Sequence, residues 1–134
     1  MKKYIHLWVF ILPVATVLLG IALYFLYTPL GANEDIVDGL GQANVTVVLT
    51  DEGFVPQHIR LTKGTTVTFT TTRENAFWPA SNPHPSHFIY EGFDPKEPVE
   101  PGDSWSYTFE RVGVWAYHDH IRSYFIGVIY VEPE

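Results

Sequence analysis

A chain of 134 residues that sets aside one apolar N-terminal stretch keeps about 105 for folding, enough for one small domain and too few for a two-domain enzyme. Cysteine is absent, which excludes a disulfide framework, a zinc–thiolate site, an iron–sulfur cluster and a cysteine nucleophile, so any metal must sit on nitrogen and oxygen. Fifteen acids against eight bases give a net charge of −7, and with no basic face to neutralise phosphates the chain is expected to have no nucleic-acid partner.

Residues 4–27 read YIHLWVFILPVATVLLGIALYFLY, with His6 as the only ionisable side chain. A helix needs roughly 20 apolar residues to cross a bilayer, and a cleaved signal has an apolar region of only about 7–15 followed by a small-x-small site. The stretch is longer than that and ends in bulky residues, so residues 1–29 are expected to be an uncleaved anchor, with a signal sequence as the alternative. Lys2 and Lys3 precede it and Glu34, Asp35 and Asp38 follow it, which by the positive-inside rule predicts a single-pass membrane protein with its domain on the extracytoplasmic side. Residues 30–43 carry Gly, Pro and acids without periodicity and are expected to be a linker.

From residue 44 to 134 the pattern changes. Residues 45–49, 59–61, 66–70, 105–109, 114–118 and 128–131 are short and rich in β-branched or aromatic side chains, with turn signals at Asp51-Glu52-Gly53, Lys63-Gly64, Pro101-Gly102-Asp103 and Gly113. With no helical pattern between them, they predict an all-β, antiparallel Greek-key sandwich. Residues 76–101 contain six of the ten prolines and are expected to form long loops over one end of it.

Four of the six histidines fall into two tight pairs, His84-Pro85-Ser86-His87 and His118-Asp119-His120. On a strand, residues i and i+2 project to one side, so His118 and His120 present two imidazoles to one ion while Asp119 points the other way. Imidazole suits copper, zinc, iron or nickel, and the loop pair would complete a site. Each pair alone is also compatible with ordinary hydrogen-bonding histidines beside a turn. His58 stands apart and is expected to be a surface strand residue.

Phe54-Val55-Pro56, Gly64-Thr65-Thr66-Val67-Thr68-Phe69, Pro101-Gly102-Asp103-Ser104, Gly113-Val114-Trp115-Ala116-Tyr117 and Gly127-Val128-Ile129-Tyr130-Val131 together resemble the cupredoxins, the plastocyanin and azurin group. The resemblance implies a Greek-key sandwich whose loops at one end hold copper. It also implies where a blue centre is lacking: Asp119 stands at the position of the copper thiolate, Arg122 at that of the following histidine, and Phe77 or Trp78 at that of the first one. The two histidine pairs resemble those of multicopper oxidases. Carried over, His87, His118 and His120 match ligands of the oxygen-reducing copper cluster and His84 matches the inner mononuclear site, while Ile89 stands where a third histidine of the first motif would be.

These readings predict a membrane-anchored, extracytoplasmic protein binding one copper ion through His84, His87, His118 and His120, for copper handling or redox chemistry with a redox or copper-transfer protein partner. No general base or nucleophile accompanies the histidines, so enzymatic activity is left open. Two other readings stay open: a metal-free accessory domain of a membrane complex, like subunit II of quinol-oxidising respiratory oxidases, and an oligomeric oxidase in which a neighbouring protomer supplies missing ligands.

Overall fold

The computed structural model describes residues 17, 19, 20 and 35–134. Apart from residues 17, 19 and 20, the expected membrane anchor lies outside the described residues, as does the first part of the expected linker. Among the described residues no helix is long and apolar enough to cross a membrane. The chain divides between Glu34 and Asp35, and the unit Asp35–Glu134 carries all the described strands.

Among the described residues, nine strands build two sheets. They are β1 (Ile36–Gly39), β2 (Asn44–Leu49), β3 (Phe54–Val55), β4 (His58–Thr62), β5 (Thr66–Thr71), β6 (Pro79–Ser81), β7 (Trp105–Thr108), β8 (Gly113–Asp119) and β9 (Ile126–Glu132). One sheet has the order β1-β4-β9-β8-β6 and the other β3-β2-β5-β7. Period-two alternation explains most of this arrangement. In β5, Val67 and Phe69 are fully buried while Thr66, Thr68 and Thr70 face outward, with Thr66 and Thr68 sharing hydroxyl hydrogen bonds with Thr108 and Ser106 of β7. In β8 and β9, Tyr117, Ile129 and Val131 enter the core. Gly127 leaves room for the Tyr117 ring, since a Cβ there would collide with the ring carbon that bears the hydroxyl.

The all-β sandwich is as expected, but it is not wholly antiparallel. β2 pairs with β5, β4 with β9 and β1 with β4 in parallel. Strands distant in sequence are neighbours here, so their relative direction follows from the path of the connections and not from local turns. Residues 36–39, expected as linker, form β1 at one edge of the larger sheet, in register with β4 from Ile36 opposite His58 to Gly39 opposite Leu61. His58 is buried, not a surface residue. Residues 79–81, expected as loop, form β6 at the other edge, where a leading proline costs no ladder hydrogen bond.

The long connection between β6 and β7 is tacked down by its aromatic residues. Phe93 is fully buried against Phe69, Trp105 and Tyr117, and its carbonyl accepts the Ser81 N–H at 2.9 Å. Burying such a side chain stabilises by about 1.5–3 kcal/mol. Tyr90 is buried too, and its hydroxyl accepts the N–H groups of Glu110 and Arg111 at 2.9 and 3.0 Å. A loop anchored by both rings holds residues 82–89 against the outer face of β8.

Candidate metal centre

The alternation of β8 sets the site. Tyr117 and Asp119 point into the sandwich and are fully buried, so His118 between them projects from the opposite face of the sheet. His120 follows just beyond the strand, its N–H donating to the Trp78 carbonyl at 2.7 Å. The loop after β6 folds over this face and brings His84 and His87 to it. One nitrogen from each of His84, His87, His118 and His120 lies within 4.8 Å of the other three. The structure therefore gathers all four histidines singled out in the sequence. The separate inner site that the oxidase resemblance implies for His84 is not formed, because the loop carries His84 to the same point as His87. Ile89 is exposed and takes no part.

Two of the rings are held by their far nitrogens. His87 Nδ1 stands 2.7 Å from Asp94 Oδ2, and His118 Nδ1 stands 2.8 Å from Asn82 Oδ1. Both oxygens only accept, so each Nδ1 carries the proton and each Nε2 presents a lone pair. These lone pairs face the cluster, His87 Nε2 at 2.9 Å from His120 Nδ1 and His118 Nε2 at 3.3 Å from His84 Nδ1. His87 takes φ of +54°, in the left-handed region that a non-glycine residue adopts at a cost, and its side chain aims inward from there.

Asp94 is the hub of this support. Its Oδ1 accepts the Trp78 indole N–H and the Lys96 backbone N–H, both at 2.8 Å, and its Oδ2 accepts the Lys96 ammonium at 3.0 Å besides His87. Burial works against the Asp94 charge, yet the hydrogen bonds from His87, Lys96 and Trp78 outweigh it and hold the carboxyl well below the usual carboxylate range. The Trp78 ring also lies 4.5 Å from the His120 ring. Asp94 and Asn82 were not anticipated from the sequence, and Trp78 was marked only as one of two residues at the place of a first blue-copper histidine; the local signals for the other two are the Asn82-Pro83-His84 and Phe93-Asp94-Pro95 runs that flank the first histidine pair.

Burial, followed by the proximity of His87, His84 and His120, pushes the His118 pKa down to about 4, and burial with the proximity of His87 and His84 lowers that of His120. Neutral imidazoles with converging lone pairs are what a divalent cation requires of nitrogen ligands. Adjacent ligands on an ion with bonds of about 2.0–2.1 Å stand about 3 Å apart, which the two close pairs already match. The donor set fits a metal ion; four imidazoles suit copper, zinc, iron or nickel, and among divalent ions the ordinary affinity order puts Cu(II) first.

The place where a thiolate would sit is occupied otherwise. Asp119 Oδ1 accepts the N–H groups of Trp78 and Ile121 at 2.8 and 3.3 Å, and Oδ2 lies 3.5 Å from Arg122 Nη1, an ion-pair distance without hydrogen-bond alignment. Asp119 thus ties β8 to the chain before β6 and does not join the histidines.

No protein-family model matches the chain, and no curated protein matches it. Solved structures do. A purple cupredoxin from Nitrosopumilus maritimus is similar at 20% identity with a TM-score of 0.58, covering 66% of this chain and 99% of that one. A Cu(I) amicyanin variant is similar at 15% identity and a TM-score of 0.56 over 66% of this chain and 82% of that one. A copper-containing nitrite reductase from Thermus scotoductus is similar at 22% identity and a TM-score of 0.53, covering 66% of this chain but only 22% of that one. Asp35–Glu134 is a domain of cupredoxin fold that carries four converging histidines and no thiolate.

Proposed function

We propose that this protein binds one copper ion per domain through His84, His87, His118 and His120, and serves copper handling or redox chemistry outside the cytoplasm, held to the membrane by its N-terminal segment. The observation that carries the reading is the convergence of four imidazole nitrogens, two of them turned inward by Asp94 and Asn82. The copper of the similar amicyanin and nitrite reductase structures supports the choice of metal. Bound copper would supply a one-electron couple and a Lewis acid. The chain's own residues do the rest: Asp94 and Asn82 orient two ligands, Trp78 backs a third, and burial keeps His118 unprotonated. The length and flanking charges of residues 4–27 support the anchor, and a redox or copper-transfer protein is the partner such a site would serve.

The test is metal content of the full chain purified from membranes of copper-supplemented cells, with an electron paramagnetic resonance spectrum. One Cu(II) per chain with an all-nitrogen spectrum and no intense blue colour is expected, since no sulfur-to-copper charge transfer exists. Copper binding no better than micromolar would overturn it in favour of a metal-free accessory domain.

A further inference from the structure

The four histidines are not equivalent. His87 is buried and fixed by Asp94, His118 is buried and fixed by Asn82, and His120 has its ring against Trp78 at 4.5 Å and its N–H on the Trp78 carbonyl. His84 is exposed, and among the described residues its ring meets only the other three histidines, at centroid distances of 4.6 Å to His120, 5.3 Å to His118 and 6.5 Å to His87. It sits between Pro83 and Pro85, where the Pro83 carbonyl accepts the Ser86 and His87 N–H groups at 3.0 and 2.9 Å, so the loop is held by its backbone and not through the His84 side chain. Its Nε2 makes no hydrogen bond among the described residues. The separations within the cluster reach up to 4.8 Å, wider than the about 4 Å spanned by ligands on opposite sides of one ion, so filling the site draws a ring inward. Among the described residues, no hydrogen bond, ion pair or ring contact from outside the cluster holds the His84 ring back, in contrast to the other three.

We infer that His84 is the exchange ligand of the centre: His87, His118 and His120 form a permanent three-nitrogen platform, and the fourth position is one that His84 shares with external donors. The inference rests on the copper-binding reading above. The step would be a ligand exchange only: the coordinate bond from His84 Nδ1 would break as one from an incoming nitrogen or sulfur donor forms on the exposed side, while His87, His118 and His120 keep hold of the ion. A small neutral donor such as imidazole is the simplest occupant of that position.

Full-length wild type and the variants His84→Ala, His87→Ala and His118→Ala, loaded with Cu(II) alone, test this. The readouts are stoichiometry, the rate of copper loss to excess EDTA, and the paramagnetic resonance spectrum with and without free imidazole, circular dichroism confirming each fold. His84→Ala is expected to keep one Cu(II) per chain with affinity reduced no more than removal of a supporting partner would reduce it, roughly tenfold. It should lose copper to EDTA faster than wild type, and free imidazole should restore the wild-type spectrum and slow that loss. His87→Ala and His118→Ala should lose binding outright, with no restoration. If His84→Ala loses copper as completely as His118→Ala, or matches wild type in all readouts, the inference is wrong; His84→Gln, which should behave as His84→Ala does, decides the point if the alanine variant misfolds. Wild type that takes up no copper overturns the copper-binding reading itself, whereas wild type that binds while the variants depart from this pattern overturns only the role given to His84.

Discussion

His87 Nδ1 donates to Asp94 Oδ2 across 2.7 Å, and both side chains are almost wholly buried. A carboxylate in that position sets the ring's tautomer and raises the basicity of Nε2, the nitrogen that faces the cluster. Asp94→Asn keeps the shape but presents a weaker acceptor and loses the ion pair with Lys96. The expected result is a copper affinity lowered by about 10–100-fold at unchanged stoichiometry, measured by chelator competition. Unchanged affinity would show that His87 needs no carboxylate.

The metal-free protein should lose stability as acidity rises through the range in which an unfolded histidine titrates. His118 titrates near 4 in the fold against an ordinary value of about 6.5, so between these values the unfolded chain binds a proton that the folded one refuses. Stability from this group is complete above about pH 6.5 and falls as pH drops toward 4; His120 acts in the same direction. Asp94, held below the usual carboxylate range, adds a further loss only once the pH passes below about 3.9. Urea midpoints at pH 7, 5.5 and 4.5 check this. A flat profile would contradict it, and His118→Gln should flatten the upper part.

Asp119→Asn separates the fold from the ligand set. The amide oxygen still accepts from Trp78 and Ile121, but the ion pair with Arg122 is lost. Stability should fall by about 1–3 kcal/mol while one copper per chain is retained. Loss of copper without loss of stability would place Asp119 among the ligands.

How far the sequence could be read depended on whether a feature is local. The alternation of Val67 and Phe69 in β5, and of Tyr117 in β8, is visible in the residues themselves, and so is the shared face of His118 and His120. β1 was hidden because an edge strand with three exposed residues, Ile36, Val37 and Asp38, has no alternation to show. The meeting of His84 with His118 was half legible: the motif marks both, but the loop's path is decided by Tyr90 and Phe93, whose burial only the packed structure reveals. Asn82 matters through a hydrogen bond to His118, 36 residues away, and Asp94 through one to His87 only seven residues away within the same loop, and no spacing announces either.

Tyr117 offers a test of the core behind the site. Its hydroxyl is buried, has no hydrogen-bond partner among the described residues, and burial raises its pKa above the ordinary range. Tyr117→Phe removes that unsatisfied group and should stabilise by roughly 1 kcal/mol in denaturant titration. Gly127→Ala drives a methyl into the same ring and should cost about 1–3 kcal/mol. A destabilised phenylalanine variant would mean that the hydroxyl has a partner, such as a trapped water.

A chain beginning at Asp35 should fold as the sandwich, and one beginning at Asn44 should also fold but less stably. The shorter form loses β1, the Gly41 N–H bond to Thr62 Oγ1 and the Thr65 Oγ1 bond to the Gln42 carbonyl, an expected deficit of about 1–3 kcal/mol by urea unfolding. Equal midpoints would show that β1 contributes nothing to the domain.

Because Tyr117 and Asp119 face inward while His118 faces outward, a single strand divides the chain's evolutionary obligations between its two sides. Substitutions that retune or abolish the imidazole cluster leave the aromatic interior intact, and changes in the interior reach the cluster only through the backbone. The imidazoles at the end of β8 can therefore change without redesigning the sandwich, whereas those of the loop come only with the buried Tyr90 and Phe93 that set its path.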